Sequence, residues 1–282
     1  MNNPEIEWVV LPGDVAIVAT AAGDVWRLKL GDGVESQPFA REMTGNGRPR
    51  STSGLLNEAI ALGFSSEEPE AGGGAISLAQ YVYNLVGTYH NARRTPDNYR
   101  LAARRLRALG REEIASYLET HALEETGHER LIIKDLQALG LPAERLVANL
   151  VPEGVKPLVE FFDELSSADY PMGCIGYSYC FEYTAAMKPK SQVDALQALA
   201  PRGVDASRFL RTHSCLGSEV GHVEDLIDLI ASLPAKDRIE IAKAAYETAN
   251  RTARLRRDVR KADSAILAQI EAAADQEILL DA

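Results

Sequence analysis

Four of the five histidines in this chain fall in two short stretches, and each stretch places a glutamate three residues before a histidine. The first runs from His121 to His128 and contains the pair Glu125 and His128; the second pairs Glu219 with His222. Leu118, Leu123, Leu131, Ile132, Leu136 and Leu139 recur near helical spacing, so the first stretch reads as a helix. On a helix, residues three apart share a face one turn on. A carboxylate oxygen and an imidazole nitrogen so placed can bind one metal ion. His121, Glu125 and His128 form an i, i+4, i+7 ladder on that face. A lone E-x-x-H is usually a solvated acidic helix with a surface histidine. Two copies that absorb nearly all the histidines are not what chance scattering gives. Two such helices supply half of a di-iron carboxylate site, and lone carboxylates on neighbouring helices supply the rest.

A third carboxylate is Glu182, the only acid in Ile175–Met187, where its neighbours are apolar, small or aromatic. A carboxylate in such surroundings is neutralised, paired or metal-bound. The plain reading is a core glutamate bonded to a tyrosine or serine; beside two E-x-x-H helices, a ligand role is the stronger one. Tyr177, Tyr179 and Tyr183 surround it in sequence and would line a substrate pocket, unless they are simply aromatic core.

A hydrophobic content of 46% over 282 residues is enough for a full core. The net charge is −11, from 30 basic and 41 acidic residues, and argues against a nucleic-acid partner. A local basic run (Arg93, Arg94, Arg100, Arg104, Arg105, Arg107) reads as a solvated helix face, or else as a docking face for an anionic partner. No leader peptide and no run of 18 apolar residues is legible, so no membrane span is expected. Three cysteines do not make a disulfide framework, and a reducing cytoplasm is the expected compartment.

Two parts are legible. Residues 1–70 form a small β-rich module, with strands at Glu7–Leu11, Val15–Ala19 and Asp24–Leu30. The third strand sets Val25, Arg27 and Lys29 against Trp26, Leu28 and Leu30, as in a half-buried strand. A polar loop over Thr44–Ser53 leads to a short helix at Leu55–Leu62, then a linker-like stretch at Ser65–Gly74. So small a module is marginal alone and is expected to pack on the larger part, where it would recognise a substrate or peptide. Residues 75–282 read as helical throughout: Ala75–Ala92, Asn98–Leu109, an unbroken metal helix Glu112–Leu139, Pro157–Leu165, Met172–Met187, Ser191–Leu199, a second metal helix Asp205–Leu233, and one long final helix Ala235–Glu271.

A ferritin-like bundle needs a lone acid on the helix before each E-x-x-H helix, and Ala75–Arg94 contains none. The chain from about 75 to 270 instead resembles the haem-oxygenase-like di-iron oxidases and oxygenases, which share their wider fold with TenA-type proteins and pyrroloquinoline quinone synthase. The resemblance rests on Glu125-x-x-His128 followed by Leu-x-x-Asp135-Leu-x-x-Leu-Gly140, on Glu182 in its small and aromatic helix, and on His213–Leu226. It implies a mainly α, haem-oxygenase-like helical bundle with a small N-terminal β-rich module. It also implies ligands Glu125, His128, Glu182, His213, Glu219 and His222, with Glu125, Glu182 and Glu219 at the catalytic centre.

That family commonly closes its site with His-x3-Asp/Glu-x2-His, whereas this chain has His213-x5-Glu219-x2-His222. Nine residues put His213 and His222 on opposite faces of a regular helix, so π-type turns eased by Gly217 and Gly221 are expected between them. The competing arrangement turns Cys215 toward the metal. His121 occupies the family's further carboxylate position, and Glu124 is the register alternative to Glu125.

The function so implied is that of a non-haem iron oxidoreductase. It would hold two Fe(II) per chain, the second weakly, and use O2 to oxidise a small-molecule, amino-acid-derived or peptide- or carrier-bound substrate. An external electron donor, a biosynthetic role and a homodimer are expected. The alternatives are a metal-free TenA-like hydrolase or cofactorless oxidase, with Glu182 as base and Cys180 or Cys174 as nucleophile, and a non-enzymatic helical peptide-binding module.

Overall fold

The computed structural model describes residues 6–31, 43–66, 75–214 and 219–275, and the backbone alone for 219–222. The linker-like stretch from 67 to 74 and Cys215 lie outside the described residues, as do the side chains of Glu219 and His222.

The amino-terminal strands are β1 (Ile6–Leu11), β2 (Val15–Thr20) and β3 (Val25–Lys29), an antiparallel sheet in the order β1-β2-β3. Register sets Val9 beside Ile17 and Ile17 beside Arg27, and Trp8 beside Val18 and Val18 beside Trp26. The face bearing Val9, Leu11, Ile17 and Ala19 is buried under α1 (Pro49–Ser65). The strand expected to be half-buried is exposed from Trp26 to Lys29. Val25 packs inward over Gly54, while Trp26 and Leu28 stay 49% and 41% exposed. The helix also starts earlier than expected, at Pro49 rather than Leu55, because a proline at the first helical position gives up an N–H that would have no partner there.

The remaining helices are α2 (Leu78–Ala92), α3 (Thr95–Ala108), α4 (Glu112–Glu124), α5 (Glu129–Ala138), α6 (Ala143–Asn149), α7 (Lys156–Ser167), α8 (Gly173–Ala186), α9 (Lys190–Gln197), α10 (Arg208–Thr212), α11 (Glu219–Ser232), α12 (Ala235–Val259) and α13 (Asp263–Ala274). None of the described helices is long and apolar enough to cross a membrane. The axis of the bundle is α12. Both α1 and α8 approach it closely through glycines: a Cβ at Gly63 would meet the Tyr246 carbonyl, and one at Gly176 the Ile241 carbonyl. The sheet, α1, α8, α11 and α12 share one apolar core. Inside it, the Arg238 guanidinium donates to the Glu7 carboxylate, which also accepts from the Ser51 and Thr52 hydroxyls.

Three expected helices are each broken in two. The final helix stops at Val259, where the Gln80 amide of the α2 capping box donates to the Lys261 carbonyl at 3.1 Å and Ser77 donates to Asp263 at 2.8 Å. A terminus whose carbonyls find partners elsewhere has less reason to continue. The other two breaks form the site.

Candidate metal centre

The expected metal helix Glu112–Leu139 ends as α4 at Glu124 and restarts as α5 at Glu129. Gly127 lies at the break with φ +93°, a conformation that disfavours side chains with a Cβ. Around it the backbone switches to i→i+3 bonds: His128 donates to the Glu125 carbonyl at 3.3 Å and Leu131 to His128 at 3.0 Å. Glu125 therefore closes one helix and His128 opens the next. Their side chains still meet, with His128 Nδ1 3.0 Å from Glu125 Oε2.

The second break brings in His213. The expected helix Asp205–Leu233 is instead the short α10, ending at Thr212, and α11, beginning at Glu219. His213 sits at the end of α10 with φ −104° and ψ 60°; the π-type turns expected around Gly217 lie outside the described residues. Its Nε2 lies 3.0 Å from His128 Nδ1 and 3.9 Å from Glu125 Oε2. Glu125, His128 and His213 each present one ligand atom, all within 4.8 Å of one another. Their side chains are half-buried, at 15–22% exposed.

Behind this trio lies a drier pair. His121 Nε2 is 2.8 Å from Glu182 Oε1, with side chains 7% and 4% exposed. Glu124, the register alternative to Glu125, reaches the other ring nitrogen of His121 at 3.3 Å. Tyr117 stacks on the His121 ring and Tyr99 lies tilted against it, with ring centroids 5.6 and 5.2 Å away. Burial works to lower the His121 pKa, but the bond to Glu182 and three nearby carboxylates win and raise it to about 9. For Glu125, burial works to raise the pKa. The His128 hydrogen bond and the three histidines outweigh it and hold the carboxyl below its ordinary value.

Of the expected pocket tyrosines, Tyr177 stacks on Phe162 at 3.7 Å and donates to Asn91 at 2.6 Å. Tyr179 stacks on Tyr183 and donates to Asn57 of α1 at 2.6 Å. The tyrosines that touch His121 are Tyr99 and Tyr117, which lie on α3 and α4, far from Glu182 in sequence, and no motif marks them. Four of the six arginines of the basic run pair with acids: Arg94 with Asp163, Arg100 with Asp97, Arg105 with Asp169, and Arg107 with Glu112 and Glu119; Arg93 lies over the Tyr89 ring.

A family model described as iron-containing redox enzyme matches residues 83–257, a span that holds every residue of both clusters. The chain belongs to that family. Solved structures similar to this chain share its haem-oxygenase-like fold. A domain of unknown function with a haem oxygenase-like fold from Shewanella denitrificans is 20% identical, with a TM-score of 0.56 over 74% of this chain and 87% of that one. A TenA homologue from Pseudomonas syringae pv. tomato is 13% identical, with a TM-score of 0.54 over 76% and 94%. A CADD-like protein of unknown function from Nostoc punctiforme is 16% identical, with a TM-score of 0.52 over 82% and 99%. No curated protein matches the chain. The sheet and α1 precede the matched span.

Proposed function

We propose that this iron-containing redox enzyme is a non-haem oxidase or oxygenase that uses a two-iron centre and O2 to oxidise a small, amino-acid-derived or peptide- or carrier-borne substrate. It would act in the cytoplasm as a homodimer, with an external electron donor. The observation that carries the reading is the convergence of Glu125, His128 and His213 on one another. Two imidazoles and a carboxylate with open positions are the donor set that suits non-haem Fe(II).

Among the described residues, Glu125, His128 and His213 fit a metal ion. Glu125, His128 and His213 would hold one ion, and Glu182, with Glu219 and His222 from α11, the second. Bound iron supplies the redox chemistry that activates O2. The protein holds the ligands in place: His121 fixes Glu182 at 2.8 Å, and the stacked Tyr117 fixes the His121 ring. Burial of that pair keeps water from its inner side, while the more open trio gives O2 and substrate a way in.

The hydrolase alternative draws less support. Cys174 and Cys180 are fully buried, and burial pushes the Cys180 thiol up to about 12 and Cys174 further still. Neither is poised as a thiolate nucleophile. The test is anaerobic Fe(II) loading with an iron count per chain. Up to two ions are expected, and Glu125→Ala, His128→Ala, Glu182→Ala and His222→Ala should each remove at least one. A count of zero in the wild-type protein overturns the reading.

A further inference from the structure

Asp135 is wholly buried, yet it belongs to neither cluster. It lies on α5, seven residues after His128, so the two share a face about two turns (roughly 10 Å) apart. Facing it is the start of α10. Asp135 Oδ1 accepts from the Arg208 backbone N–H and from the Arg208 guanidinium, both at 3.1 Å. Its Oδ2 accepts from the Phe209 N–H at 3.0 Å.

A helix of five residues cannot hold itself together, and its first N–H groups have no partners within the helix. Asp135 supplies those partners from another helix, together with the negative charge that a helix N-terminus favours. Five residues further on, about 7.5 Å along the axis, α10 ends at His213. So α5 and α10 run antiparallel, joined at one end by Asp135 and meeting at the other where His213 faces His128. The turn before α10 is tied down as well: Arg211 pairs with Asp205 through two 2.8 Å bonds, and Tyr81 donates to the Ala206 carbonyl at 2.7 Å.

The geometry points to Asp135 as a positioning residue for the metal centre: by clamping the first turn of α10 it holds His213 at the distance from His128 and Glu125 that a shared metal ion needs. This rests on the reading of His213 as a ligand. Residues that hold a metal ligand in place are worth about 10–100-fold in metal affinity when removed.

The test is a double-mutant cycle on the full chain, with Co(II) as probe and its tightest binding step followed optically. Asp135→Asn should weaken Co(II) by about tenfold or more, and His213→Ala should weaken it at least as much. In the His213→Ala background, Asp135→Asn should change the affinity less than about twofold, since the residue it positions is gone. Hydrogen exchange on the metal-free Asp135→Asn protein should show protection lost over 208–213 and kept over α12. If Asp135→Asn is insoluble, Arg208→Gln removes one leg of the clamp and should show the same dependence on His213 at smaller amplitude. If His213→Ala leaves Co(II) affinity unchanged, the ligand reading fails. If His213→Ala weakens binding but Asp135→Asn does not, or weakens it equally in both backgrounds, the ligand reading stands and the positioning role is overturned.

Discussion

Two polar clusters lie inside this molecule and they are built in opposite ways. Around Glu7 and Arg238 donors meet acceptors: the carboxylate accepts from Ser51, Thr52 and Arg238, and the guanidinium also donates to the Leu233 and Gly45 carbonyls. Both side chains are at most 3% exposed. Around Glu125 the ligand atoms of His128 and His213 face each other at 3.0 Å and both face a carboxylate oxygen. The first cluster is complete as it stands and joins the sheet to the helices. The second gathers electron-pair donors around one point, which is what a cation requires. The His121–Glu182 pair stands between these extremes, buried like the first and adjoining the second.

The difference is open to experiment. Arg238→Met should cost the most, about 3–5 kcal/mol in urea denaturation, because Glu7 is left buried without its countercharge. Adding Glu7→Leu should recover part of that loss. A single substitution that costs under 1 kcal/mol would show that the first cluster is not the matched ion pair described. Next comes metal linkage. Fe(II) at 100 times the Kd of the site that His128 serves should stabilise the wild-type protein by about 2.7 kcal/mol through that site, a gain His128→Ala should lose, while metal-free His128→Ala stays within about 1 kcal/mol of wild type. Equal stabilisation of both proteins would break the contrast.

Gly127→Ala should cost about 1–2 kcal/mol, since the positive φ is strained for alanine although no atom stands within 4 Å of the added Cβ. Gly127→Asn should cost less, because asparagine tolerates that region. Iron affinity should fall further than stability does in Gly127→Ala, as the strain lies between two ligands. The smallest effect is expected at Trp26→Ser. That residue is 49% exposed and outside both clusters, so its melting curve should shift by no more than about 0.5 kcal/mol.

Much of this architecture is legible in the chain alone. Hydrophobic period placed three strands before a helical bundle, and the clustering of histidines marked Glu125, His128 and His213, which the fold does bring together. Glu182 was legible because an acid in an apolar helix must be paired, and His121 is its partner. Local sequence could not show where the helices stop. Glu125 and His128 read as one helical face, but Gly127 takes a positive φ and divides it. His213 read as part of a long helix, but α10 ends there, and its first turn is bonded at Arg208 to Asp135, 73 residues back. Glu7 read as the first residue of a strand, but Arg238, 231 residues on, holds it in the core. Alternation in β3 showed two faces, but in the fold only Val25, seated over Gly54, turns inward, and Trp26 to Lys29 are exposed. Periodicity records which residues avoid water. The turn at Gly127 is local, but the start of α10 is bonded to a residue distant in the chain, and that partner is in place only once the tertiary structure has formed.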